Sequence, residues 1–149
     1  MIRSLIPLML ASAAFGSVSD DLQRFEGFSS TSYVDTTGHR TVGFGHRTDK
    51  SVTMSRETAL AVLADDIAKS EQGARRVFPT FSAQPQHVQD VLVELTFQMG
   101  QSGMRKFIEF RKAIQSRDYA LASECLIDSR FHKQTPDRSE ALARKLTNP

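Results

Sequence analysis

One short run limits the fold more than any other part of the chain. Tyr33-Val34, Asp35-Thr36-Thr37-Gly38 and Thr41-Val42-Gly43-Phe44-Gly45 read as strand, turn and strand, with β-branched and aromatic residues on either side of a polar turn. A hairpin this small buries little by itself and must lean on other elements. Those elements are helical. Ser19 or Asp20 can cap a helix carrying Leu22, Phe25 and Phe28, which Gly27 ends early. Ser55 opens a capping-box pattern, and Ala59, Leu60, Leu63 and Ile67 form an apolar stripe running to about Arg76. Phe78-Pro79-Thr80 breaks it. His87 to Met99 is apolar at helical spacing through Val88, Val91, Leu92 and Leu95, which predicts the central core helix. Met104–Ser116, Tyr119–Ser129 and Asp137–Leu146 follow as shorter helices.

At 149 residues the chain fits one compact domain. Its net charge of +2 is too small to imply a nucleic-acid partner. The charge is uneven, however: residues 1–100 hold 9 Lys and Arg against 11 Asp and Glu, and residues 101–149 hold 10 against 6. The single cysteine, Cys125, excludes an internal disulfide and any cysteine zinc site, and reads as a small buried hydrophobe. Ser4 to Ser19 carries no charge and is bounded by Arg3 and by Asp20-Asp21, an export-type pattern that is short and weakly apolar for a permanent span. Two readings fit. Ala11-Ser12-Ala13 offers a cleavage site, which makes the segment a secretory signal; the abundance of small residues favours an uncleaved signal-anchor that later leaves the bilayer.

The chemistry-bearing candidates are carboxylates. The four histidines at 39, 46, 87 and 132 are scattered, with no H-E-x-x-H, and there is no G-x-S-x-G. Gly43-Phe44-Gly45 is too short for a phosphate loop, so no metal or cofactor is expected. Glu26 lies in the apolar frame Phe25-Glu26-Gly27-Phe28 at a helix C-terminus, where low solvation and the negative helix end suit a proton donor. Nine residues on, Asp35 sits in a Thr- and Gly-rich turn whose hydroxyls and water keep it ionised. Two carboxyls in opposed environments form an acid/base pair of the kind glycoside hydrolysis uses.

Three blocks carry a resemblance. They are Arg24-Phe25-Glu26-Gly27 with the hairpin through His46; Phe97-Gln98-Met99-Gly100 with Gly103 and Phe107; and Ser129-Arg130-Phe131 with Gln134-Thr135-Pro136-Asp137-Arg138. In this order they resemble the T-even phage lysozymes and related endolysins of glycoside hydrolase family 24. The resemblance implies an α+β lysozyme-like fold, with a small hairpin lobe, a larger helical lobe and a cleft between them. It implies the boundaries 1–19 for the delivery segment and 20–149 for the lysozyme domain, with the hairpin lobe at about 29–54, the connecting helix at about 55–76 and the helical lobe at about 77–149. Peptidoglycan is the implied substrate, cleaved between N-acetylmuramic acid and N-acetylglucosamine by Glu26 as acid, with Asp35 activating a water that the Thr41 hydroxyl helps to hold. That arrangement inverts the anomeric centre and needs carboxyls roughly 6.5–9.5 Å apart.

By the same resemblance Arg138 pairs with the acid, His46 and Asp66 form a structural ion pair, and Phe97 lies in the cleft. Arg47 and Phe110 stand at substrate-contact positions where the family carries a leucine and a serine. The stretch from His46 to Met54 is shorter than in the T-even proteins, which leaves one cleft wall more open. The implied setting is a monomer, held at the host inner membrane through residues 1–19 and then released to the periplasm, for lysis. A lytic transglycosylase needs no second carboxylate, so Asp35 and Thr41 argue against it; the remaining alternative is a non-catalytic wall-binding or virion structural protein.

Overall fold

The computed structural model describes residues 17–148. It is a mixed α+β fold in which a three-stranded antiparallel sheet sits against a helical body. The first helix, α1, spans Val18–Glu26 and is capped by Ser17, whose Oγ accepts from the Asp20 backbone N–H. It therefore begins earlier than the Ser19 or Asp20 cap expected. The reason is Val18, which stands four residues before Leu22 and packs against both apolar clusters of the protein, so one more turn is worth forming. The expected delivery segment otherwise falls on residues outside those described; Ser17 to Ser19 belong to the start of α1. No helix among the described residues is long and apolar enough to cross a membrane.

Strand β1 (Ser29–Val34) pairs with β2 (Arg40–Gly43), which pairs with the two-residue β3 (His46–Arg47). Tyr33 stands opposite Thr41 and Val34 opposite Arg40, with an irregularity between Ser29 and Tyr33. The third strand is too short to show a period-2 pattern and was not expected. The outer edge of β1 is covered by the returning chain: Ser32 donates its N–H to Val52 O, Met54 donates to Ser30 O, and Thr31 bridges Thr53. The shortened stretch after His46 thus closes an otherwise open sheet edge.

Helix α2 (Arg56–Val77), capped by Ser55 through Thr58, serves both lobes. Its first half sends Ala59 and Leu63 into a small cluster with Leu22 and Phe44 beneath the sheet. Its last turns send Ala74 and Val77 into the main core. After a short 3-10 turn at Phe81–Ala83, α3 runs Gln86–Lys106 and carries Val88, Val91, Leu92 and Leu95 into that core. Gly100 has φ 69°, which ends the regular helix at the expected Met99 and turns the chain into a separate short segment. The helix expected over Met104–Ser116 is divided at Phe107, whose ψ of 64° is not helical; α4 is Ile108–Gln115. The break brings Phe107 onto Phe110, the rings stacked at 4.7 Å.

Helices α5 (Tyr119–Ile127), α6 (Arg130–Gln134) and α7 (Pro136–Thr147) complete the body. At five residues α6 is too short for apolar periodicity; it is held by the Ser129 cap on His132 N–H and by buried Phe131. Cys125 is half-buried against the main core.

Candidate active site

Glu26 is the last residue of α1, and Gly27 beyond it has φ 66° and returns its N–H to Gln23 O. This C-cap turns the chain from helix to β1 and leaves the Glu26 carboxyl at the junction of the two lobes. The junction is tight. A Cβ placed on Gly45, in the turn between β2 and β3, would lie 2.6 Å from Glu26 Oε2, and Gly45 itself has φ +73°. Gly45 is favoured on both counts: a positive φ strains most side chains, and a Cβ there would displace the Glu26 carboxyl.

The other oxygen, Oε1, accepts from Arg138 Nη1 at 2.8 Å. Arg138 lies in the first turn of α7, its side chain 5% exposed against 19% for Glu26. Its guanidinium also lies over the Phe25 ring, 5.3 Å from the centroid. Its Nε and Nη2 are buried without a hydrogen-bond partner among the described residues. The partnership expected from the resemblance is thus present as geometry, and it divides Glu26 into a held oxygen and one facing the hairpin.

Asp35 occupies the hairpin turn. Its Oδ1 accepts from Thr37 N–H at 2.9 Å, from the Thr37 hydroxyl at 2.7 Å and from His39 N–H at 2.9 Å. The Thr37 hydroxyl first, and the His39 amide after it, hold the Asp35 carboxyl below its ordinary pKa. Because that hydroxyl gives its proton to Asp35, the His39 Nδ1 beside it at 2.8 Å must be the donor in their contact. No described residue donates to Asp35 Oδ2. Thr41, on β2 opposite Tyr33 and so two residues from Asp35 in register, is only 5% exposed. Its hydroxyl has no partner among the described residues.

The other expected residues divide in two. His46 Nδ1 lies 2.7 Å from Asp66 Oδ2, which ties β3 to the middle of α2. Gly45, His46, Arg47, Asp66 and Phe97 all line one cavity, so Arg47 and Phe97 share it with Gly45, the glycine beside the Glu26 carboxyl. Phe110 is a correction. It is wholly buried, stacked on Phe107 and edge-on to Phe78 at 6.4 Å, and reaches no cleft. An aromatic in place of a family serine is absorbed by the core because burying a phenyl ring is worth about 2–3 kcal/mol.

Of the hydroxyls expected to keep Asp35 ionised, the one that does so is that of Thr37. Residue patterns missed two participants: His39 was visible only as a turn residue, and Gly45 only as the end of a strand. Among the described residues no group of three or more His, Cys, Asp or Glu could hold a metal ion.

Residues 23–147 match the phage lysozyme family. The chain is similar to the peptidoglycan hydrolase gp36 of Pseudomonas phage phiKMV, 27% identical over 132 residues that take in 85% of this chain and 14% of that protein. It is likewise similar to the pre-baseplate central spike protein Gp5 of Enterobacteria phage T4, 27% identical over 155 residues, 85% of this chain and 27% of that protein. The chain thus spans less than a third of either relative. With most of its length matched, from within α1 to the end of α7, the chain belongs to the phage lysozyme family.

Proposed function

We propose that this chain hydrolyses the β-1,4 bond between N-acetylmuramic acid and N-acetylglucosamine in peptidoglycan, as a family 24 glycoside hydrolase. The observation that carries this reading is the division of labour at Glu26: Arg138 holds Oε1 while Oε2 stays against Gly45, at the end of the hairpin that carries Asp35. Oε2 delivers the proton to the leaving glycosidic oxygen. Asp35, ionised and with Oδ2 unengaged, takes a proton from a water on the opposite sugar face, and Thr41, paired with Tyr33 on the strand beside Asp35, helps to orient that water. Attack from that face inverts the anomeric centre.

Purified sacculi test it. Early product should be the α-anomer with a reducing-end muramic acid, and Glu26→Gln should lose at least a thousandfold in rate while staying folded. A 1,6-anhydro product would make the enzyme a transglycosylase. Asp35→Asn should be nearly as inactive as Glu26→Gln, whereas a transglycosylase would tolerate it.

The same reading makes residues 1–19 a signal-anchor that holds the monomer at the host inner membrane until release to the periplasm, where it lyses the cell. The low hydrophobicity of that segment supports this. Intact mass of the periplasmic protein decides: loss of residues 1–13 means simple secretion. The similarity to a pre-baseplate central spike protein favours a second setting, a lysozyme unit within a virion. Detection of the chain in purified particles, and its absence from the membrane fraction before lysis, would favour that setting.

A further inference from the structure

A second buried charge cluster joins α1, α3 and α7. Lys145, near the C-terminus of α7, has a side chain only 4% exposed. Its ammonium donates to Asp21 Oδ2 on α1 at 3.1 Å and to Glu94 Oε1 on α3 at 3.0 Å. Glu94 has no exposed surface, and its Oε2 has no partner among the described residues. Three helices meet on this one ammonium. Burying such groups is costly, and an apolar trio of similar volume would stabilise the same junction at least as well. What an apolar trio lacks is direction: three polar groups with fixed hydrogen bonds favour one register and one rotation of the helices.

The register concerns Glu26. Arg138 and Lys145 are seven residues apart on α7, two turns on one face and about 10 Å along its axis. Asp21 and Glu26 are five apart on α1, about 7 Å. Each cation of α7 therefore takes one carboxylate of α1, Lys145 with Asp21 and Arg138 with Glu26. A helix held at one point can still turn about it. Held at two, it loses the freedom to turn about either one, and the Glu26 carboxyl lies so close to Gly45 that even a methyl group there would displace it.

We infer that Lys145 is a positioning residue, which with Asp21 and Glu94 locks the orientation of α1 so that Arg138 presents Glu26 correctly to the cleft. The inference rests on Glu26 being the acid. Asp21 is partly exposed, so Asp21→Asn removes the charge of one ion pair at little risk to folding. Lys145→Met removes both contacts, and Lys145→Arg restores a cation.

On sacculi, Asp21→Asn should lower kcat about fivefold and Lys145→Met about thirtyfold, each with KM within twofold, and Lys145→Arg should recover most of the loss. In parallel, the 13C shift of the Glu26 side-chain carboxyl should move in Asp21→Asn and Lys145→Met and return in Lys145→Arg. If Lys145→Met does not fold, Asp21→Asn decides alone by the same two readouts. An unmoved Glu26 carboxyl signal in a folded variant, or a kcat equal to wild type, overturns the inference. Wild-type activity in Glu26→Gln instead overturns the reading of the acid, and leaves the carboxyl shift to judge the lock.

Discussion

Arg138 donates to Glu26 at 2.8 Å across 112 residues of sequence, joining the first turn of the last helix to the last residue of the first. The contact closes the described fold end to end. Replacing Arg138 by Met keeps most of the packing on Phe25 but leaves a largely buried carboxylate alone. The expected cost is about 2–3 kcal/mol of stability, read by urea denaturation. The loss of activity should be at least a hundredfold in kcat, because a displaced acid acts only on transition-state formation.

Gly45→Ala should separate chemistry from stability. The backbone at φ +73° costs an alanine about 1–2 kcal/mol. The new methyl also meets Glu26 Oε2 at 2.6 Å, so the carboxyl must move. The drop in kcat should therefore exceed that of a control such as Gly38→Ala, at a positive-φ turn position with open space around it, while their melting temperatures fall by similar amounts.

Thr37→Val removes the largest influence holding Asp35 low, and its carboxyl pKa should rise toward the ordinary range. Asp35 acts as a base only when ionised, so the acid limb of the pH–kcat profile should shift to higher pH. Activity at neutral pH should change little. An unmoved acid limb would detach that limb from Asp35.

Glu94 gives a stability signature. Burial pushes its carboxyl up from 4.5 to about 7, against the opposing charges of Lys145 and Arg138 and with the help of Asp21. Between those values the folded state binds the proton that the unfolded state has lost, so stability falls as pH rises through the window, by on the order of 3 kcal/mol. Lys145 is raised above its ordinary 10.5, so its contribution is fully present throughout that range and is lost only above it. Glu94→Gln should flatten the pH–stability curve between pH 4.5 and 7 and gain most at its upper end.

Phe110→Ala tests whether Phe110 serves the core rather than the cleft. A wholly buried phenyl ring removed from the core should cost about 3–5 kcal/mol. The KM of the surviving folded fraction should stay at the wild-type value. A residue touching substrate would show the reverse pattern.

Reading the chain from residues alone succeeded where spacing is the physical signal. Helix α2, the first part of α3, and the strands on either side of Asp35 follow from apolar period and turn chemistry, and Glu26 and Asp35 stand out because of their settings. The Arg138 and His46–Asp66 contacts came through the resemblance, since no local pattern announces a partner 112 residues away. What stayed hidden depends on tertiary context. The break at Phe107 goes with its stacking on Phe110, and the cap at Ser17 with Val18 reaching both clusters. Lys145 and Glu94 carry no local signal of burial, because burial of an ion is decided by partners from three separate helices.

Val18 and Ile67 touch the small cluster beneath the sheet and the main core alike, and α2 contributes side chains to both. The sheet-bearing half therefore has no private reservoir of stability. Heat or denaturant should melt both halves in one transition, and amide exchange in β2 should slow only as far as the global unfolding reaction allows. In such a molecule, damage anywhere along the shared spine is damage to the whole.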